Sequence, residues 1–137
     1  MKILSLNAGS SSFKCRLDDL SRAPLPLDPP KPVWEDRFDL DPAKLDEALR
    51  SIPGPVEVVG HRIVHGGKFR ESIVITNEVR AAIAREAEIA PSHNRGELAA
   101  VDAVERVFGD RVKQIAVFDT EFHATLAPQA FVYPGPY

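Results

Sequence analysis

The first eighteen residues constrain the fold more than any other stretch. Ile3-Leu4-Ser5-Leu6 is a short apolar run that stops at Asn7-Ala8-Gly9-Ser10-Ser11, a cluster of turn formers. Phe13, Cys15 and Leu17 then alternate with Lys14, Arg16 and Asp18, which is strand periodicity with one wet face. Strand, tight polar turn and strand read most economically as an antiparallel hairpin, so the chain commits to a sheet at once.

The rest of the pattern extends that sheet. Residues 21–32 hold Pro24, Pro26, Pro29, Pro30 and Pro32, which no ladder strand tolerates. They read as a surface connection, with a proline-recognition motif as the functional alternative. Val33-Trp34-Glu35-Asp36-Arg37-Phe38 supplies a third strand. Asp41-Pro42 opens a helix, an acid at the cap and proline at the first turn, and Leu45, Ala48, Leu49 and Ile52 share one face of it. Pro53-Gly54-Pro55 ends it.

Residues 56–64 are β-branched and nearly continuous, which suits a central strand covered on both sides. Residues 72–76 form another short strand, and a helix over 77–90 places Val79, Ile83, Ala87 and Ala90 on one stripe. Asn94 reads as the cap of a further helix, with Glu97 in the capping-box position and Leu98, Val101, Val104 and Phe108 on its buried face. Residues 112–118 are the last strand, ending at Asp119, before a proline-rich tail over 128–137. Leading strands joined by short turns favour antiparallel pairing, and later strands separated by helices favour parallel pairing. The expected architecture is α/β, a mixed sheet flanked by helices.

Composition excludes several classes. Hydrophobic residues make up 44% of the 137, enough for the core of one domain, so disorder is not the default. The net charge is −3 with no basic stretch, which argues against a nucleic-acid partner. The single cysteine, Cys15, allows no intrachain disulfide and suits a small buried apolar residue. No apolar run approaches a membrane span, and Ile3-Leu4-Ser5-Leu6 is too short for a signal-peptide core. A soluble cytoplasmic protein without membrane partners is the expectation.

In such sheets ligands gather at the carboxyl ends of the parallel strands. Asn7 ends the first strand, Arg62 lies late in the central one and Asp119 ends the last. An amide, a planar cation and a carboxylate converging there make an anion site with metal capacity. Gly9-Ser10-Ser11-Ser12 adds amides and hydroxyls able to cradle a phosphate if glycine takes positive φ, and Lys14 supplies a point charge. Neither a Walker A loop nor a dinucleotide fingerprint is present, so a plain turn is the alternative. Arg62 could equally pair with a buried acid, and Asp119 could cap a helix starting near Thr120. His61 and His65 stand four apart on a strand, and no ligand pattern completes a zinc site around them.

Four segments carry a more specific signal. Leu4-Ser5-Leu6-Asn7-Ala8-Gly9-Ser10-Ser11-Ser12-Phe13-Lys14 resembles the opening signature of the acetate kinase family, and Gly60-His61-Arg62-Ile63-Val64-His65-Gly66-Gly67 resembles its second signature. Ala90-Pro91-Ser92-His93-Asn94 and Val117-Phe118-Asp119-Thr120-Glu121-Phe122-His123 are similar to two further segments, all in the family's order. The resemblance implies the ribonuclease-H-like fold of the actin, sugar kinase and heat-shock chaperone ATPase superfamily. It implies reversible, Mg2+-dependent phosphoryl transfer between ATP and acetate, giving acetyl phosphate and ADP, in a homodimer. By the same resemblance Asn7 helps hold magnesium, Lys14 contacts nucleotide phosphates, and Ser10 and Ser12 belong to the phosphate loop. Arg62 binds the carboxylate or acyl phosphate, Val64 lines the methyl pocket, His93 lies near the transferred phosphoryl group and Asp119 is the active-site acid.

Those roles suit the chemistry. A carboxylic acid is ionised at neutral pH, because carboxyl pKa values lie near ~4, so Asp119 need not remove a proton. It is expected to position magnesium or its water shell, or to orient Arg62. Two departures from the family pattern stand out. Ser92 replaces an apolar residue beside the methyl group, which changes discrimination by about 1–3 kcal/mol per methylene-sized difference and opens propionate and butyrate as substrates. Arg95-Gly96 replaces a proline-containing stretch and is expected to alter only the start of the helix. Residues 1–137 read as the amino-terminal domain of an acetokinase without the family's second domain, inactive alone. A propionate or butyrate kinase is the near alternative. A non-catalytic actin-like nucleotide-binding domain is the distant one.

Overall fold

The hairpin forms as its alternation requires. The computed structural model describes residues 1–21, 27–28, 30–86, 91–123, 125–127 and 130, with 91–95 and 122–123 as backbone alone. Strand β1 (Lys2–Ala8) pairs antiparallel with β2 (Ser12–Asp19), setting Leu4 opposite Leu17, Leu6 opposite Cys15 and Ala8 opposite Phe13. All six are buried. Cys15 is the small apolar core residue its position suggested, its thiol pushed up to about 12, first by burial and then by Asp36. Strand β3 (Trp34–Asp39) adds antiparallel to β2. Pro24, Pro26 and Pro29 of the proline segment lie outside the described residues, and the Pro30 carbonyl accepts from Arg16 Nη2 at 2.6 Å.

Helix α1 (Pro42–Ser51) starts as expected, with Asp41 Oδ1 accepting from the Ala43 N–H at 2.9 Å. Leu45, Ala48, Leu49 and Ile52 are buried, and Leu45, Leu49 and Ile52 share one core cluster with residues of β1 and β2. After Pro53, Gly54 turns the chain at φ 87°, a conformation that favours glycine. Strand β4 (Val58–Ile63) then lies parallel to β1.

Beyond β4 follow the two-residue strand β5 (Ile73–Val74), helix α2 (Asn77–Glu86), helix α3 (Pro91–Phe108) and strand β6 (Lys113–Phe118). Ala87 and Ala90, expected on the α2 stripe, lie outside the described residues. The sheet order is β3-β2-β1-β4-β6-β5, with β1, β4 and β6 parallel. Strand β5 is antiparallel to β6, unlike the parallel pairing expected of the later strands. It is a short edge segment reached from β4 by a loop rather than by a helical crossover, so nothing forces it parallel.

Burial separates the two faces of the sheet. Leu4, Leu6, Phe13, Leu17 and Val59 pack with α1 and α3, while Ile63, Ala116 and Phe118 pack with α2. Burying each such Leu, Val, Ile or Phe contributes about 1.5–3 kcal/mol. The described helices therefore all cover one face. Strand β4 does not read as the doubly covered strand expected: Val59, His61 and Ile63 are buried, whereas Val58 and Gly60 are half-buried and Arg62 is exposed. A β-branched run hides the alternation, because apolar residues on the open face look the same in sequence as those beneath a helix.

His61 is the polar residue of β4 on the covered face. It is buried, and Nε2 lies 2.7 Å from Gln114 Oε1, so with the amide oxygen facing it Nε2 carries the hydrogen. Desolvation lowers its pKa from 6.5 to about 4, partly offset by the Gln114 bond. The folded state then holds His61 neutral where the unfolded chain would protonate it. Its contribution is complete above pH 6.5 and is lost as pH falls through about 4. The stability of His61→Leu relative to wild type should rise by about 3 kcal/mol from pH 6.5 to pH 4, read by chemical denaturation at each pH. A flat difference would show that the imidazole is not held neutral.

Candidate active site

The strand registers build a row of outward-pointing side chains on the open face. Lys14, Asn7, Arg62 and Val117 are successive partners across β2, β1, β4 and β6. They stand roughly 4.8 Å apart from strand to strand. All alternate with buried residues of the covered face, so the same pleat that fills the core points them outward. Asp119, two residues past Val117, opens a 3-10 turn (Asp119–His123) at the end of β6.

Arg62 ties this row together. Its Nε and Nη2 donate to Asp119 Oδ1 and Oδ2 at 2.9 and 2.6 Å, and Nη1 donates to Asn7 Oδ1 at 3.1 Å. Asp119 therefore does not spend its carboxylate capping the 3-10 turn, and Arg62 does not pair with a buried acid. Their side chains are 43% and 41% exposed. An ion pair so wet adds under ~1 kcal/mol to stability, so its effect is orientation. Arg62 is held above its ordinary range, first by the Asp119 hydrogen bond. Among the described residues these three bonds leave one N–H on each Nη without a partner.

The turn after β1 sits at the same end. Gly9 does not adopt positive φ; among the described glycines only Gly54, Gly67 and Gly109 do. Its N–H donates to the Ser12 carbonyl at 2.9 Å, so that amide is already engaged within the turn. A Cβ at Gly9 would lie 3.2 Å from the Ser12 carbonyl oxygen, a tight approach that glycine relieves. What the turn offers is hydroxyls: Ser10 is exposed and Ser12 half-buried. Arg37 stands opposite Lys14 on β3, a residue that sequence reasoning missed. Its alternation was readable, but its register with Lys14 depends on the path of the proline connection. Ser5, Asn7, Lys14, Arg16 and Arg37 line an open groove of about 680 Å³.

The chain after β4 leads from Arg62 toward the helix side. Val64 is half-buried, and its N–H donates to Glu97 Oε1 at 3.0 Å. Glu97 is therefore not a capping-box residue, and Asn94 does not cap: α3 begins at Pro91, which leaves both inside the helix. A proline at the first position suits a helix start, and its pull outweighed the Asn-to-Glu spacing. Gly66 packs so tightly on Phe118 that a Cβ would fall 2.7 Å from the ring, and Phe69 stacks on Phe118 at 5.6 Å between centroids. Ser92 and His93 lie in the first turn of α3, and their side chains are outside the described residues.

Comparison with known proteins places this geometry among its relatives. A family model described as the Acetokinase family matches residues 40–137. An acetate kinase of Gloeobacter violaceus is 43% identical, over all of this chain and 43% of its own length. The acetate kinase structure from Porphyromonas gingivalis superposes with a TM-score of 0.75 at 27% identity, covering 99% of this chain and 41% of that one. A propionate kinase from Francisella tularensis gives 0.69 at 26%, with 99% and 41% covered. The chain thus spans less than half the length of the relatives it matches. The fold is the ribonuclease-H-like one of the actin, sugar kinase and heat-shock chaperone ATPase superfamily, as the motifs implied. No helix among the described residues is long and apolar enough to cross a membrane.

The Glu97 carboxyl is 1% exposed, and burial raises its pKa from 4.5 to about 7, opposed by the Val64 N–H and Arg62 and assisted by Asp119. The folded state keeps a proton that the unfolded chain releases. This contribution is complete below pH 4.5 and is lost as pH rises through about 7, opposite in sign to that of His61. Glu97→Gln should therefore gain about 3 kcal/mol relative to wild type between pH 4.5 and pH 7 in denaturant titrations. No gain would mean that Glu97 ionises normally.

Proposed function

The chain belongs to the acetokinase family, and we propose that the protein carrying it is a magnesium-dependent phosphotransferase with a carboxyl acceptor, interconverting ATP and acetate with ADP and acetyl phosphate. The observation that carries this reading is Arg62, held by Asp119 and Asn7 with one N–H on each Nη left over among the described residues. A guanidinium with donors to spare suits a carboxylate, or the phosphate of an acyl phosphate, by charge-assisted hydrogen bonding. The acid arrives ionised, so no general base is required, and catalysis reduces to alignment and charge stabilisation. Asp119 keeps the guanidinium plane in place. Lys14, with Arg37 beside it, supplies cations for phosphate oxygens, and Ser10 and Ser12 supply hydroxyl donors. Val64 borders the methyl group, with Ser92 and His93 across the pocket, His93 toward the transferred phosphoryl.

Asn7 and Asp119 provide hard oxygen donors, and each Asp119 oxygen keeps acceptor capacity beyond its Arg62 bond. That set fits magnesium, which is held by one or two protein oxygens together with substrate phosphates. When bound, magnesium neutralises charge on the phosphates. ATP and the acid would meet in a cleft whose second wall comes from a further domain, and the working protein would be a homodimer in the cytoplasm. Residues 1–137 alone would be inactive. Ser92, and the likeness to a propionate kinase, favour propionate or butyrate as a second reading. A non-catalytic actin-like domain is the weaker reading, since a nucleotide sensor has no need of Arg62 and Asp119 beside Asn7 and Lys14.

Hydroxamate trapping of acyl phosphate, on the full-length protein with ATP, magnesium and each acid in turn, tests this. Acetate should give product, and Arg62→Ala should lose about 10²–10³-fold in turnover, the loss typical of removing one donor aimed at developing charge. Asp119→Asn should fall comparably; rescue by excess magnesium would show that the loss acts through the metal, and no rescue that it acts through the orientation of Arg62. Ser92→Leu should raise the preference for acetate over propionate. No product from any acid by a folded, ATP-binding protein would move the reading to a sensor domain.

A further inference from the structure

We propose that Glu97 is a positioning residue that sets the width of the acid pocket, by clamping the amino-terminal turns of α3 to the chain immediately after Arg62. This rests on the kinase reading for what the pocket holds, but the clamp itself rests on geometry. The β4 ladder ends with Ile63 opposite Phe118, so the next amide, that of Val64, has no strand partner. Glu97 Oε1 takes that N–H at 3.0 Å from across the fold. Its second oxygen is buried with no hydrogen-bond partner among the described residues. A buried carboxyl with an oxygen unmet is costly, and an apolar side chain would occupy the place without that cost. What only the carboxyl does here is satisfy Val64.

The bond joins the two walls of the candidate pocket. One wall is the end of β4, carrying Arg62 and Val64. The other is the start of α3, whose first turn carries Ser92 and His93 one turn before Glu97. Downstream, α3 is held in the core by Ala100, Ala103 and Val104, and at Gly96 it runs alongside Ala8 and Leu40. The helix body is fixed by packing, and among the described side chains Glu97 gives its first turns a hydrogen bond to the end of β4. Side-chain length at position 97 therefore sets the gap in which the alkyl end of the acid lies.

Three variants of the full-length protein separate this from a merely structural role. Glu97→Gln keeps an oxygen for Val64 and should leave the acetate KM within about twofold. Glu97→Ala should raise the acetate KM about tenfold or more, shift the propionate-to-acetate kcat/KM ratio several-fold, leave the ATP KM within about twofold, and speed hydrogen exchange at the Val64 amide by tenfold or more. Glu97→Asp, one methylene shorter, should show the same shift in smaller measure, and serves if the alanine variant does not fold. An unchanged acid ratio in a folded, active alanine or aspartate variant overturns the proposal, as does failure of glutamine to preserve the acetate KM. Should the wild type make no acyl phosphate, the kinase reading fails on its own, and Val64 exchange still decides the clamp: unchanged exchange in Glu97→Ala overturns it.

Discussion

The parallel register of β1, β4 and β6 is the constraint on which the site depends. Arg62 meets Asn7 on one side and Asp119 on the other because Leu6 pairs with His61, Asn7 with Arg62, and Ile63 with Phe118. A slip of one residue would turn every side chain to the other face, burying Arg62 under the helices and exposing Ile63. The register is specified by the covered face, where Leu4, Leu6, Val59, Ile63, Ala116 and Phe118 have no alternative burial. Core packing thus positions the polar row without any polar residue contributing much to stability. The antiparallel hairpin then extends the row to Lys14, and β3 extends it to Arg37.

The two faces treat ionisable groups differently. Arg62 and Asp119 remain in contact with water, so their bonds orient more than they stabilise. His61 and Glu97 are sealed on the helix side, and burial drives both toward their neutral forms, downward for the imidazole and upward for the carboxyl. Each makes one neutral hydrogen bond with a partner from another element, Gln114 for His61 and Val64 for Glu97. Buried polar residues that link separate elements fix geometry that apolar packing leaves loose; His61 does so within the strand that carries Arg62, and Glu97 at its end.

Much of this was readable in the residues, for identifiable reasons. The hairpin and α1 declare themselves through local rules, alternation in the first case and the Asp41-Pro42 start in the second. The convergence of Asn7, Arg62 and Asp119 followed from placing each at the end of a parallel strand. What failed was decided by tertiary contacts. Asn94 and Glu97 satisfied the spacing of a capping box, but Pro91 started the helix earlier, and the Glu97 carboxyl found Val64, thirty-three residues away in sequence. The one-sided cover of β4 was invisible because Val58 and Val59 carry the same residue type on opposite faces. Arg37 was missed because strand register across an irregular connection is not a local property.

The exposure of the polar row bears on how it can act. Charges 4 Å apart interact by about 1 kcal/mol in bulk water and about 4 kcal/mol at an effective dielectric near 20. With Arg62 and Asp119 still some two-fifths exposed, the site has its geometry but stands in the weaker regime. A phosphoryl group gains most from preorganised donors once water is excluded. The open face of the sheet is therefore the surface over which a cover must act: anything that closes on Lys14, Asn7 and Arg62 strengthens their hold on an anion several-fold without moving them. Alignment is built into the register, and the strength of the electrostatic field is left to be set by closure.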